Sequence, residues 1–266
     1  MTMSSLLNDI IKEKQREIET NKAITPLSLI ENMIVDDVES KRGFYQALRN
    51  KIDAGDNAII AELKKACPVQ GVLCDNYNPA LLAKSYEKGG AACLSVVTDS
   101  TFFQGSETDL DDARNATSLP IVRKDFIIDE YQVFESCAIG ADCIVLLAAC
   151  LIYEQLNHLT RLSYDLGMDV IISVHNLQEL DKVAGLPVRM VGINNRDPNT
   201  FEIDLSTTTE LITQIPTEIL VITEGGIHDN EAVTLMNSVG VNTFLLGDSL
   251  MKTHNPEDKL MEIFKQ

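Results

Sequence analysis

Tryptophan is absent from the 266 residues, and aromatic side chains make up only 5% of them. A core built from this chain is therefore aliphatic, because 45% of the residues are still hydrophobic. Also missing is any apolar run near the ~20 residues that cross a bilayer, which argues against a membrane-spanning helix. The opening residues, MTMSSLLNDIIKEKQREIE, show no basic segment leading into an uninterrupted apolar stretch, so no secretory signal is expected. The six cysteines include no C-x-x-C pair, and most sit in apolar runs such as AACLSVV and DCIVLLAAC; buried free thiols are expected rather than disulfides or a zinc site. A reducing cytoplasm follows as the expected compartment. Basic residues are scarce: 22 Lys and Arg face 40 Asp and Glu, a formal charge of −18. Such a surface repels nucleic acid and anionic membranes, so neither is an expected partner; the acidity identifies no substrate and leaves any protein partner unassigned.

What is present is a rhythm. Leu6, Leu7, Ile10, Ile11 and Ile18 fall at helical spacing, and residues 26–54, with FYQALRN, offer further helical material. From residue 58 onward, eight short apolar runs alternate with longer helical segments. The runs are AIIAEL (58–63), ACLSVV (92–97), PIVRKD (120–125), DCIVLL (142–147), MDVIISV (168–174), MVGINN (190–195), ILVITE (219–224) and TFLLG (243–247). Between them, NPALLAKSYEKG, DEYQVFESCAIG, YEQLNHLTRLSYDLG and DNEAVTLMNSVG read as helices that stop at glycine. Continuously apolar strands alternating with helices predict a parallel sheet covered on both faces, and eight such units predict an α/β fold, the closed (β/α)8 TIM barrel. An open doubly wound sheet is the rival, but its G-x-G-x-x-G turn is missing after the first run. With no linker or low-complexity tract, residues 1–266 read as one barrel domain, residues 1–54 being an N-terminal helical extension.

In such a barrel, chemistry belongs where strands end and eight loops converge. The strand ends deliver Glu62 and Lys64, Lys124 and Asp125, Ser173 and His175, Asn194 and Arg196, Glu224, and Gly247 with Asp248. Glu62 and Lys64 lie two residues apart, so extended backbone points both the same way: toward the axis as a neutralising pair or a site, or toward the rim as a solvated end. Lys124 sits in VRKDF. Crowded by cations and apolar walls, its pKa is expected to fall, which suits a general acid; pairing with Asp125 or Glu62 is the structural alternative.

AELKKACPVQG, FFQGS, VRKDFIID, GINNRD, ITEGGI and FLLGDSLM, in that order and with FYQAL ahead of them, resemble the indole-3-glycerol phosphate synthase family. The resemblance covers nearly the whole chain. It implies a cofactor-free and metal-free lyase that closes the indole ring of a carboxyphenylamino-deoxyribulose phosphate, losing carbon dioxide and then water. By the same resemblance Lys124 is the acid that activates the substrate carbonyl, and Lys64 holds the benzoate carboxylate and assists dehydration. Glu62 orients these cations, Asn194 and Arg196 bind polar groups, and Glu224 stabilises positive charge on the anilino nitrogen. A cationic transition state near carboxylate and an oxyanion near ammonium fit that division.

Four segments depart from the family pattern. Where the family carries a proton-transferring glutamate in its fifth strand this chain has Ser173, with His175 two residues on. The other three changes fall on phosphate-holding segments: CPVQG puts Cys67 and Val69 in place of serines, TEGGI puts Gly225 before Gly226 in place of another, and LGD follows Gly247 with Asp248. Asp248 is expected to cap the helix that starts there and to repel a phosphate. Three readings stay open: a slow synthase of the family type, a paralogue lyase or cyclase acting on an unphosphorylated substrate, and a silent binding barrel.

Overall fold

The computed structural model describes residues 5–34, 41–198, 200–253 and 255–264. Its strands are β1 (Ala58–Leu63), β2 (Ala66–Cys67), β3 (Gly71–Val72), β4 (Cys93–Val97), β5 (Ile121–Lys124), β6 (Cys143–Leu147), β7 (Asp169–Val174), β8 (Met190–Asn194), β9 (Leu220–Glu224) and β10 (Thr243–Leu246). Eight of them close a parallel barrel in the order β1-β10-β9-β8-β7-β6-β5-β4. The eight apolar runs thus form the eight staves, each within a residue or two of its expected bounds.

Period-2 alternation sorts each strand's side chains into two cores. Ile60, Cys93, Val122, Cys143, Val145, Ile171, Met190, Ile222 and Leu245 fill the interior. Ile59, Leu94, Ile144, Ile172, Val191 and Phe244, one residue out of phase, pack under the surrounding helices. Burial on both faces is the reason the runs are continuously apolar. The helices start at polar caps: Asn78 accepts from the Leu81 amide at 3.0 Å, Asp129 from Tyr131 at 2.9 Å and Asp229 from Ala232 at 2.9 Å.

Among the described residues, three helices precede the barrel: α1 (Ser5–Ile24), α2 (Leu27–Ile34) and α3 (Phe44–Asp53). Phe44 and Leu48 of α3, both fully buried, join the interior cluster and close the end of the barrel where the strands begin. α1 lies at the opposite end, and its buried stripe of Ile10 and Ile18 is interrupted by a lysine, Lys14, which is 1% exposed. The Lys14 ammonium pairs with Asp99 at 3.2 Å and Asp125 at 2.9 Å, carboxylates that follow β4 and β5. Two short strands lay outside the expected elements. β2 and β3 pair antiparallel in the loop after β1, which turns back over the barrel mouth.

Candidate active site

Six ionised side chains form one unbranched run across the mouth, with alternating sign. Arg196 meets Asp248 at 2.8 Å, Asp248 meets Lys64 at 2.7 Å, and Lys64 meets Glu62 at 2.8 Å. Glu62 then meets Lys124 at 3.0 Å, and Lys124 meets Glu224 at 3.1 Å. Glu62, Lys124 and Glu224 lie at the ends of β1, β5 and β9, and Lys64, Arg196 and Asp248 follow β1, β8 and β10, so the order of the run is set by barrel topology: β10 and β1 are neighbours, while Lys124 on β5 and Glu224 on β9 meet across the interior. Glu62 and Lys64, two apart, do share a side, and that side is the axis.

Glu62 and Glu224 are 2% and 1% exposed, and each carboxylate occupies space that a glycine on the adjacent strand or its end leaves open. A Cβ on Gly247 would collide with the Glu62 carboxylate, and one on Gly192 with that of Glu224. Burial pushes Glu62 toward the neutral form, but Lys124 and Lys64 more than reverse this and hold its pKa down at about 2. Burial likewise favours neutral lysines at positions 64 and 124. Glu62 with Asp248 raises Lys64, and Glu62 with Glu224 raises Lys124 well above the usual lysine range. This corrects the expected fall of the Lys124 pKa. The cation next to it in sequence, Arg123, points out of the barrel and is held by Thr98, Glu107 and Glu135, so Lys124 faces carboxylates instead.

Two connected spaces open above the run. An inner cavity of about 490 Å³ is floored by the charged groups and walled by Gly225, Gly226, Ile227, His228, Gly247 and Ser249. Gly225 and Gly226 have φ of 76° and 85°, and a Cβ on Gly226 would press on Ile203 and Leu205. A wider groove of about 1190 Å³ is mostly apolar, with Phe103, Phe126, Leu147, Pro68 and Val69 on one side and Leu6, Leu7 and Ile10 of α1 on the other.

The family model for indole-3-glycerol phosphate synthase matches residues 7–263. The chain belongs to the indole-3-glycerol phosphate synthase family. Relatives carrying that name share 47% identity in Polaromonas naphthalenivorans, covering 98% of this chain and 99% of the relative. They share 45% in Chromobacterium violaceum, covering 98% of each, and 42% in Polynucleobacter asymbioticus, covering 98% of this chain and all of the relative. Among solved structures, tryptophan synthase subunit alpha from Legionella pneumophila str. Paris superposes with a TM-score of 0.60 at 12% identity, over 84% of this chain and 95% of that one. Thiamine phosphate pyrophosphorylase from Pyrococcus furiosus gives 0.59 at 15%, over 82% and 96%. At such identities these two speak to the barrel alone.

Within this member of the indole-3-glycerol phosphate synthase family, the remaining expected residues fall in different places. Asn194 accepts the Arg196 amide at 3.0 Å and lines both spaces. Cys67 lies in the wide groove, not against the glycine loops. Ser173 is one layer down, fully buried inside the barrel. His175 lines the groove, but its Nδ1 lies 2.9 Å from Glu179, which also accepts its amide. The expectation that Asp248 caps the final short helix is corrected: Gly247 is the cap residue and no side chain caps there, because the Asp248 carboxylate is turned to Lys64 and Arg196.

Several residues that shape the site escaped sequence reasoning. Asn195, beside Asn194, donates to Thr223 and to the Gly225 carbonyl, both at 2.9 Å, and so fixes the glycine loop. Gln70, from the β2–β3 turn, donates to Asp248 at 3.2 Å and accepts from Lys252. No sequence signal marks Gln70. For Asn195 the signal is period 2: the neighbour of an inward residue faces the outer layer.

Proposed function

We propose that this chain is a carbon–carbon lyase that closes the indole ring of 1-(2-carboxyphenylamino)-1-deoxyribulose 5-phosphate, with loss of carbon dioxide and then of water. The observation that carries this reading is the alternating run of six charges, in which each lysine lies between two carboxylates at the loop-bearing end of the barrel. A substrate with two anionic ends takes over the cations that now hold Asp248: its benzoate carboxylate goes to Lys64 and its polar chain to Arg196 and Asn194. Lys124 donates to the ketone oxygen as the ring carbon attacks, Glu62 holds both ammonium groups in place, and Glu224 faces the anilino nitrogen as it becomes cationic. The aromatic ring lies in the apolar groove under α1, and the phosphate in the cavity walled by Gly225, Gly226 and Gly247. No cofactor enters these steps. The N-terminal extension walls the groove through Leu6, Leu7 and Ile10 of α1, and the working compartment is the cytoplasm, with neither nucleic acid nor membrane as a partner. Purified protein given this substrate yields a product with indole fluorescence; the absence of turnover at high enzyme concentration refutes the assignment.

Asp248 favours a second reading, in which the substrate carries a hydroxyl where the phosphate would be. A phosphate ~4 Å from this carboxylate meets repulsion of roughly 1 to 4 kcal/mol. Asp248→Ser removes that repulsion and frees Lys64 and Arg196, so inorganic phosphate is expected to bind about tenfold tighter or better by calorimetric titration. An unchanged dissociation constant removes repulsion from the account. Gly225→Ser is the poorer companion, since φ of 76° strains any L side chain there.

A further inference from the structure

With a serine on β7, the proton lost from carbon in the dehydration needs another acceptor. Three observations converge on one. The Glu224 carboxylate has one oxygen on Lys124 at 3.1 Å, while its other oxygen, Oε1, has no hydrogen-bond partner among the described residues. That Oε1 lies over Gly192, in space that any Cβ there would fill. Gly192 is paired in register with Ser173, whose hydroxyl is fully buried and equally without a partner. Paired strands lie about 4.8 Å apart, so the two partnerless oxygens face one small interior space. Buried polar atoms left like this are uncommon and call for a functional explanation.

We propose that Glu224 is the proton acceptor of the dehydration in this chain, that Lys124 is its paired donor, and that Ser173 is a positioning residue that steadies the free arm of Glu224 through one bridging water. This rests on the ring-closing reading above. A carboxylate facing the anilino nitrogen also faces the methylene carbon bonded to that nitrogen. After carbon dioxide has left, Lys124, neutral since ring closure, takes one proton from solvent water, the proton that loss of carbon dioxide from a carboxylate consumes; the C–O bond at the former ketone carbon then breaks and the hydroxyl departs as water with that proton from Lys124. The methylene C–H bond then breaks, its electron pair forms the ring double bond, and its proton goes to Glu224. Glu224 returns that proton to the Lys124 amine across their existing hydrogen bond, and both groups are back in their starting forms with one water released. The two transfers assist each other: a neutral Glu224 removes one of the two anions that hold the proton on Lys124.

The test separates carbon dioxide release from indole formation in single turnovers. In the unaltered chain the two follow one another closely. In Glu224→Gln, which is isosteric and keeps an oxygen for Lys124, carbon dioxide release slows with the loss of the anion facing the anilino nitrogen, but indole formation falls by about 10²-fold more than that, and a decarboxylated, non-fluorescent intermediate accumulates. If both steps slow equally, or neither does, Glu224 is not the acceptor. If the unaltered chain releases no carbon dioxide, the ring-closing reading itself has failed, a result distinguishable from either. Ser173→Ala is expected to keep KM but shift the acidic limb of the kcat–pH profile upward, because Glu224 loses a donor to its charged form; an unmoved limb removes Ser173 from the proposal. Ser173→Glu places a second carboxylate against Glu224 and moves the same limb further; a faster dehydration at neutral pH with no such shift would show that the acceptor was missing and overturn the assignment to Glu224.

Discussion

Replacing Lys124 with methionine is expected to lower kcat for indole formation by about 10³-fold or more, the combined loss of a positioned acid and of the cation that meets the developing oxyanion. The side chains are of similar length, so the groove keeps its shape and the effect is electrostatic. Removing Nζ also leaves Glu62 and Glu224, 3.0 and 3.1 Å from it in the parent, as buried carboxylates without the ammonium between them. With the ammonium gone, burial and their mutual repulsion push these carboxylates toward the protonated form. Breaking a buried pair by removing one partner costs about 3 to 5 kcal/mol, although Lys64 still holds the far oxygen of Glu62 and brings the expected value toward the lower end.

Lys124→Arg separates the two effects. A guanidinium keeps the charge and so recovers much of the stability, yet it does not give up its proton and its planar fork does not fit the geometry of an ammonium. The expected pair of results is a midpoint of denaturation near the parent's with activity still near that of Lys124→Met. A methionine variant that keeps kcat within tenfold, measured by steady-state fluorescence, would mean that the acid is another group.

The staves of the barrel were legible because a strand buried on both faces can hardly be anything but apolar from end to end. AIIAEL coincides with β1 residue for residue. The hairpin of β2 and β3 was not legible, since strands of two residues carry no periodicity. At the site, residue types at strand ends located the charged groups but not their partners. Sequence shows Arg123 as the neighbour of Lys124, whereas alternation sends Arg123 outward and topology brings Glu224 from 100 positions away. The direction of the Lys124 shift was misjudged for that reason. Asp248 was misplaced on similar grounds: an acid after a glycine fits a cap locally, and two cations from β1 and the loop after β8 outcompete the helix end for it.

Lys14 was the most readable feature left unread. On α1 the positions 7, 10, 14 and 18 form a single stripe, and three of them are apolar. A lysine in the fourth signals either a poor helix face or a buried partner. The buried partners are Asp125 and Asp99, 1% and 2% exposed, which together with Glu17 of α1 itself hold Lys14 charged despite its burial. These two acids also organise the wall of the groove: Asp99 accepts the amides of Phe102 and Phe103, and Asp125 that of its neighbour Phe126. Lys14 therefore ties α1, with Leu6, Leu7 and Ile10, to the two loops that supply the facing aromatic rings. Lys14→Met is expected to destabilise the fold by about 3 kcal/mol, because it leaves Asp99 buried without a cation while Asp125 keeps Arg123. KM should rise several-fold as the α1 wall loosens, with kcat at saturation nearly unchanged, since Lys14 lies outside the six-charge run. Adding Asp99→Asn keeps the acceptor for both amides and removes the stranded charge, so the double variant should regain a large part of the lost stability. A Lys14→Met protein whose urea midpoint matches the parent's, or whose loss falls on kcat rather than KM, would detach this latch from the site.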